Sequence, residues 1–173
     1  MIKISSKNKF FLEKINYLFN QKTISTISDN NFLVNLFFEI SDKYLKVNFF
    51  DKSKIFSLPL DFNSFFSDIY SEVASTCIKI SDFDFYPFQS NILGYKKKCL
   101  LSDIQNRILI ILIMNKDGIN KEFLYQSIWP NDKDISINKL DTHLTNLKNQ
   151  IKLDLSLNIK FISQEKILNL IIN

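Results

Sequence analysis

Residues 137–151 read INKLDTHLTNLKNQI, and this stretch decides how the second half of the chain is interpreted. Its large apolar side chains recur at the three- and four-residue spacing that brings them to one side of an α-helix. They are Leu140, Leu144, Leu147 and Ile151. The spacing predicts a helix over residues 137–151 that packs this stripe against other helices.

A second stripe of the same helix is polar and carries a single charge. It consists of Lys139, Thr142, Asn146 and Asn149, with Thr145, Lys148 and Lys152 at its flank. Asparagine can form two hydrogen bonds with adenine, threonine can contact base edges or the thymine methyl group, and lysine neutralises phosphates. The stripe is therefore suited to the major groove of DNA. An ordinary solvated helix face has a similar composition, and the stripe alone leaves both interpretations open.

Two further helices are predicted before this one. Ser102 provides an N-cap for a helix over residues 103–114, which is apolar nearly all round and should be buried on several sides. Asn120 can cap a helix over residues 121–129, and Pro130 ends it.

Strands are predicted on both sides of the three helices. Residues 78–85 alternate as a half-buried strand does, and residues 89–101 complete a small antiparallel sheet. The chain finishes with apolar segments at 159–162 and 167–172 around a polar turn at 163–166, which predicts a β-hairpin. The order of strands, three helices and hairpin is that of a winged helix-turn-helix domain, an α+β fold.

Residues 77–173 resemble the effector domain of OmpR/PhoB-type response regulators. Four short stretches, in the order of the family, carry the resemblance: residues 80–85, 101–103, 123–129 and 138–148. The last of them is similar to the family's recognition-helix pattern, valine-aspartate-x-histidine-isoleucine-x-x-leucine-arginine. The resemblance implies sequence-specific binding to double-stranded DNA. It places residues 137–151 in the major groove and the C-terminal hairpin, the wing, at the minor groove or the phosphates.

The DNA-binding residues that this interpretation implies lie on the third helix and in the hairpin: Asn138, Lys139, Asp141, Thr142, His143, Thr145, Asn146, Lys148, Asn149 and Lys166. Asn138 and Asn146 stand where the family often has arginine, and Glu165 brings an acid to a hairpin without glycine. These departures favour weak intrinsic binding or an AT-leaning site, because the bidentate contact of arginine with guanine is missing. Asp141 and His143 match the family pattern but are equally suited to local contacts on the helix.

Residues 1–76 are interpreted as a separate α/β domain. Strands are predicted at 1–5, 23–27 and 44–50, a helix at 9–20, a strand or helix at 31–40, and a second helix from about Asp61. Residues 58–62, LPLDF, resemble the start of the last helix of a receiver domain, but a complete receiver has roughly 110–120 residues. We therefore expect a shortened, degenerate receiver without a phosphoacceptor, for which Asp42 is badly suited. An unrelated small α/β domain is the alternative.

The composition excludes several classes of site. The chain has two glycines, one histidine and two cysteines, too few for a dinucleotide fingerprint, a P-loop or a standard structural zinc site. We expect no cofactor, no metal and no enzymatic activity, because the residues satisfy no catalytic template. The longest apolar run, residues 108–114, is too short to span a membrane, and two well-separated cysteines suit the reducing cytoplasm.

The leading hypothesis is a cytoplasmic, phosphorylation-independent transcriptional regulator that binds double-stranded DNA. The phenylalanine-rich first domain predicts a homodimer formed through it, and RNA polymerase is a further candidate partner. The alternative is a winged-helix adaptor that binds protein and not DNA. The missing arginines, the acidic hairpin and the modest net charge of +4 favour that alternative.

Overall fold

The computed structural model describes residues 2–21, 34–49, 52–132 and 134–172. The chain divides into two compact units, Met1–Val73 (unit 1) and Ala74–Asn173 (unit 2). The strand expected at residues 23–27 lies outside the described residues. None of the described helices combines the length and apolar character that a membrane span requires.

The described part of unit 1 consists of a four-stranded sheet and two helices. Its elements are β1 (Ile2–Ser6), α1 (Lys9–Gln21), β2 (Val34–Ile40), β3 (Tyr44–Phe49), β4 (Lys52–Ser57) and α2 (Phe62–Ala74). The strands are ordered β1-β2-β3-β4. β1 and β2 run parallel, and the other neighbours are antiparallel.

The core of unit 1 lies between both helices and one face of this sheet. Phe38 of β2 is buried at its centre. Rings from both helices surround it: those of Phe11 and Phe19 on α1 at 5.8 and 6.3 Å, and that of Phe65 on α2 at 6.4 Å. The opposite face carries the alternate side chains of the strands, such as the exposed Glu39. Unit 1 is therefore a two-layer α/β structure.

The sheet of unit 1 does not support the receiver-like interpretation. A receiver has a doubly wound parallel sheet, whereas β2, β3 and β4 form an antiparallel meander. The reason is local: only residues 41–43 separate β2 from β3, and a parallel neighbour would require a much longer crossover. The pattern over residues 31–40 allows a strand or a helix, and its described part, Val34–Ile40, is the strand β2. β4 is a strand that the sequence pattern did not indicate.

The described part of unit 2 has three helices and two small sheets. Its elements are β5 (Ile78–Ile80), β6 (Phe83–Tyr86), β7 (Asn91–Gly94), β8 (Lys97–Leu100), α3 (Asp103–Met114), β9 (Ile119–Asn120), α4 (Lys121–Ile128), α5 (Ile137–Leu155), β10 (Ile159–Gln164) and β11 (Ile167–Ile172). The sheets are ordered β5-β6-β7-β8 and β10-β11-β9, with antiparallel neighbours throughout. This is the predicted order of a winged helix-turn-helix.

The prediction of one strand over residues 78–85 is wrong, because β5 and β6 form a hairpin. Ser81 has a φ of 53°, in the left-handed region, and the chain reverses so that Ile80 pairs with Phe83. Within each strand every second residue is apolar: Ile78 and Ile80 in β5, and Phe83 and Phe85 in β6. Two polar residues, and not one, separate Ile80 from Phe83, so the apolar residues of both strands lie on one face of the sheet.

Side-chain caps fix where α3 and α4 begin. The Oγ of Ser102 accepts a hydrogen bond from the backbone N–H of Gln105 at 3.3 Å, and Gln105 Oε1 accepts one from the N–H of Ser102 at 2.8 Å. This reciprocal pair is a capping box. Asn120 Oδ1 accepts hydrogen bonds from the N–H groups of Glu122 and Phe123 at 2.8 and 3.2 Å. Both predicted caps are confirmed.

We expect Leu147→Ala to lower the free energy of unfolding by about 2–5 kcal/mol, because truncating a buried leucine leaves a cavity. Leu147 is 0% exposed, whereas Leu153 on the same helix is 83% exposed. Leu153→Ala is therefore the matched control and should change stability by less than about 0.5 kcal/mol. Urea denaturation followed by the fluorescence of Trp129 measures both. Equal losses in the two variants would contradict the orientation of α5.

Candidate nucleic-acid interface

Helix α5 buries the apolar stripe that the sequence predicted. The four predicted side chains are buried and a fifth continues the stripe: Leu140, Leu144, Leu147, Ile151 and Leu155. The helix therefore runs beyond its predicted end and has 19 residues, a length of roughly 28 Å. Ser156 ends it with a φ of 60°, in the left-handed region.

The exposed face of α5 carries no carboxylate, and every residue of this helix is described. Its members are three asparagines, two threonines, two lysines and one leucine: Asn138, Thr142, Thr145, Asn146, Lys148, Asn149, Lys152 and Leu153. The two aspartates of the helix are only half exposed. Asp141 meets Lys121 at 2.7 Å, and Asp154 lies beside the thiol of Cys99. The exposed face thus offers hydrogen-bond donors, acceptors and positive charge.

Polar side chains from other elements hold α5 in place. Gln105 of α3 donates a hydrogen bond to the side-chain oxygen of Gln150 at 2.7 Å, and Gln150 donates to the carbonyl of Leu100 at 2.5 Å. Lys97 donates to the carbonyl of Leu155 at 3.0 Å, at the helix end where the dipole favours a cation. Hydrogen bonds therefore connect α5 to α3 and to β8, in the four-stranded sheet of unit 2.

A cluster of aromatic and charged side chains surrounds the first turns of α5, and we call it the clamp. Lys139 Nζ lies 2.9 Å from Asp132 Oδ2 and 4.3 Å from the centre of the Trp129 ring. The same carboxylate oxygen accepts a hydrogen bond from the hydroxyl of Tyr125 at 2.6 Å. The ring of His143 lies 5.3 Å from that of Trp129. The clamp joins the end of α4, the following loop and α5.

Three groups of the clamp, Tyr125, Asp132 and Lys139, shift one another's pKa values. The hydrogen bond from Tyr125, and then that from Lys139, lowers the pKa of Asp132. The hydrogen bond to Asp132, followed by burial, raises the pKa of Tyr125. The hydrogen bond to Asp132 also raises the pKa of Lys139. At neutral pH the clamp therefore contains a charged carboxylate, a charged ammonium and a neutral phenol.

A groove separates α5 from the C-terminal hairpin. It is lined by Lys121, Asp141, Leu144, Thr145, Lys148, Phe161, Ser163 and Leu168. Lys121 and Asp141 form a salt bridge with each other at one side of this groove. Thr145 and Lys148 belong both to this groove and to the exposed face of α5. The two surfaces are therefore continuous.

The hairpin closes through a tighter turn than the sequence predicted. Gln164 and Ile167 still pair as strand residues, so the turn consists of Glu165 and Lys166. Their φ values are 48° and 69°, in the left-handed region where glycine and asparagine are preferred. Lys166 Nζ meets Glu122 at 3.1 Å. This wing thus reaches a two-residue turn without glycine.

The predicted site residues fall into two groups. Six are exposed on α5: Asn138, Thr142, Thr145, Asn146, Lys148 and Asn149. Four contact other side chains of the chain: Lys139, Asp141, His143 and Lys166. The structure brings the first group together on one surface. Lys139, Asp141 and His143 are partly buried against their neighbours, whereas the side chain of Lys166 is 72% exposed beside Glu122.

Sequence reasoning missed the side chains that position α5. Gln105 could have been found, since glutamine three residues after a serine N-cap is the capping-box signature. Lys97 and Gln150 had no such signal. Their partners Leu155 and Leu100 lie 58 and 50 residues away along the chain, a separation that local patterns do not report.

The described residues contain no group of three histidine, cysteine, aspartate or glutamate side chains that could hold a metal ion. The thiol of Cys99 is buried, and burial, followed by the effect of Asp154, raises its pKa to about 12. It is therefore protonated at neutral pH and a poor nucleophile.

No protein-family model matches the chain, and a search of curated proteins finds no match either. Among solved structures, the C-terminal domain of the nisin resistance regulator NsrR, a lantibiotic response regulator, has 26% sequence identity and a TM-score of 0.42. That match covers 53% of this chain and 93% of the other. The DNA-binding domain of CadC from E. coli has 11% identity and a TM-score of 0.49, covering 58% of this chain and 95% of the other. The winged-helix arrangement given above follows from this chain's own strands and helices.

We expect acid to weaken the protein partly through Asp132. Because the pKa of this carboxyl is lowered in the folded protein, it stabilises the fold above its unfolded pKa of about 3.9 and stops doing so once it is protonated. Asp132→Asn keeps an acceptor for Tyr125 but cannot titrate. Its urea midpoint, followed by Trp129 fluorescence, should therefore fall less than that of the wild type between about pH 5 and about pH 3. Parallel pH profiles would speak against an ionised Asp132 in the clamp.

Proposed function

We propose that the chain is a transcriptional regulator that binds double-stranded DNA sequence-specifically and inserts α5 into the major groove. The observation that carries this proposal is the exposed face of α5, which presents amides, hydroxyls and lysines without a carboxylate. A contact face for a polyanion must avoid acids, since each would be repelled by the phosphates. Amides and hydroxyls are also the groups that read base edges.

The dimensions and side chains of α5 suit this role. A helix with its side chains is about 10–12 Å across, and the major groove is about 12 Å wide. Asn138, Asn146 and Asn149 present amides that can pair with adenine. Thr142 donates its hydroxyl proton to the carbonyl of Asn138 at 2.8 Å, which leaves the hydroxyl oxygen as an acceptor. We therefore expect a preference for A·T base pairs.

Lysines supply the phosphate contacts in this proposal. Lys148 and Lys152 are exposed along α5, and Lys148 also lines the groove beside the hairpin. Arg107, the only arginine of the sequence, donates to the carbonyl of Ser127 at 2.9 Å. Bidentate reading of guanine by arginine is therefore not part of the proposal.

We propose that binding does not depend on phosphorylation of unit 1. Asp42 is exposed in the turn between β2 and β3. The antiparallel pairing of β2, β3 and β4 differs from the doubly wound parallel sheet, in which ligand sites form at the carboxyl ends of the strands. Unit 1 exposes four aromatic side chains on its two helices: Phe10, Tyr17, Phe62 and Tyr70. Apolar patches on a surface mark protein interfaces, and a homodimer through these side chains of unit 1 is part of the proposal. A cytoplasmic location and a contact with RNA polymerase belong to the same proposal.

A protein-binding adaptor is the second candidate, and the exposed leucine on α5 favours it. Leu153 is 83% exposed on the face proposed to meet DNA, where an apolar side chain gains little from phosphates. Glu165 at the tip of the hairpin would also repel them. An adaptor would retain its protein partners after nuclease treatment, whereas proteins held to the regulator only through DNA would be released.

Fluorescence anisotropy with a labelled mixed-sequence duplex tests the DNA-binding proposal. We expect affinity to fall with salt, because each neutralised phosphate contributes about 0.9 to the slope of log K against log salt concentration. Lys148→Met should reduce this slope by about 0.9, and Lys52→Met, an exposed lysine of β4, is the matched control. A wild-type protein that binds no duplex even at low salt would overturn the proposal.

We expect Asn146→Ala to relax base preference at one position of a duplex recovered by unbiased selection. A bidentate contact with adenine contributes about 1–3 kcal/mol of discrimination, so competition titrations with a single A·T to G·C change should show that loss. Asn63→Ala removes an exposed asparagine at the start of α2 and should leave the preference intact. A preference retained in full by Asn146→Ala would exclude Asn146 from base reading.

A further inference from the structure

The first turn of α5 lacks the devices that begin α3 and α4. Ser136, its N-cap residue, makes no side-chain hydrogen bond with the N–H groups of the first turn, and that turn contains no acid. α3 and α4 each have a side-chain cap and an acid in the first turn. An uncapped N-terminus leaves backbone N–H groups unsatisfied and is less stable. The proposed DNA face nevertheless begins in this turn, at Asn138.

The clamp connects this turn to Tyr125, a buried residue of α4. Lys139, the third residue of α5, reaches back to Asp132 and lies over the ring of Trp129. Asp132 is itself held by the hydroxyl of Tyr125 and by its own N–H, which donates to the carbonyl of Trp129 at 3.2 Å. Tyr125 is 1% exposed. A continuous set of contacts therefore runs from a buried residue of α4 to the start of α5.

We infer that Lys139 is a positioning residue, which fixes the first turn of α5 against α4 in place of a side-chain cap and does not contact DNA. Its ammonium already has a carboxylate partner and an aromatic face, both of which stabilise a cation. Moving the ammonium to a phosphate would leave the Asp132 carboxylate without this cation, beside a polyanion. The expected effect of Lys139 on base preference rests on the proposed function. The contacts of the clamp do not, because they are present in the protein without DNA.

The free protein carries its own reporters of the clamp. The sequence has one tryptophan and one histidine, and both Trp129 and His143 belong to the clamp. Lys139→Met keeps the aliphatic stem but removes the charge, so we expect it to shift the emission of Trp129 and the ring-proton resonances of His143. Lys139→Arg keeps a cation over the ring and should restore both signals toward the wild type. Lys148→Met is the matched lysine control and should leave both unchanged.

A salt-dependent titration with the selected duplex separates positioning from phosphate contact. Lys139→Met should keep the salt slope of the wild type. Its preference for the selected duplex over a mixed-sequence duplex should fall about tenfold, because about one base contact loses its alignment. Lys148→Met should show the reverse: a slope lower by about 0.9 and an unchanged preference.

Two results would overturn the inference. One is a salt slope reduced by about 0.9 in Lys139→Met with its preference intact, which would make Lys139 a phosphate contact. The other is a Lys139→Met protein whose Trp129 and His143 signals equal those of the wild type. A wild-type protein that binds no duplex would instead sink the proposed function, and the free-protein signals would then decide the inference by themselves.

Discussion

The burial of one apolar stripe on α5 is the interaction on which the rest of unit 2 depends. The stripe packs against α3 and the four-stranded sheet, and burial of each of its leucines contributes about 1.5–3 kcal/mol by removing apolar surface from water. Because this side of the helix must face inward, the asparagines and threonines of the other side must face outward. The hydrogen bonds of Lys97 and Gln150 then fix the C-terminal half of the helix. Apolar packing thus determines which face of α5 is exposed, and polar contacts determine where the helix lies.

Local patterns were sufficient to predict most of unit 2. Helical spacing located α5, and the hydroxyl of Ser102 and the amide of Asn120 located the starts of α3 and α4, because a cap acts within a single turn of chain. The engagement of Lys139 was not predictable in the same way. Its position on a polar stripe is the same whether it faces solvent or Asp132, and only the path of the loop after α4 decides between them.

Unit 1 was harder to predict, for physical reasons that individual residues illustrate. The side of β4 that faces the helices carries Lys54, whose ammonium meets Asp68 of α2 at 2.8 Å, so this edge strand lacks the apolar alternation that predicts a strand. The receiver-like interpretation rested on element order and on residues 58–62. Neither reports strand direction, which is set by the short turn between β2 and β3.

Helix α3 has a consequence for how unit 2 unfolds. Its buried side chains, among them Ile108, Leu109, Ile110 and Leu112, point to several sides, and it packs against α4, α5 and β11. Loss of any one of these neighbours would expose part of α3 to water. The helices and the hairpin should therefore melt in a single cooperative step, in which the wing cannot detach while the remainder stays folded.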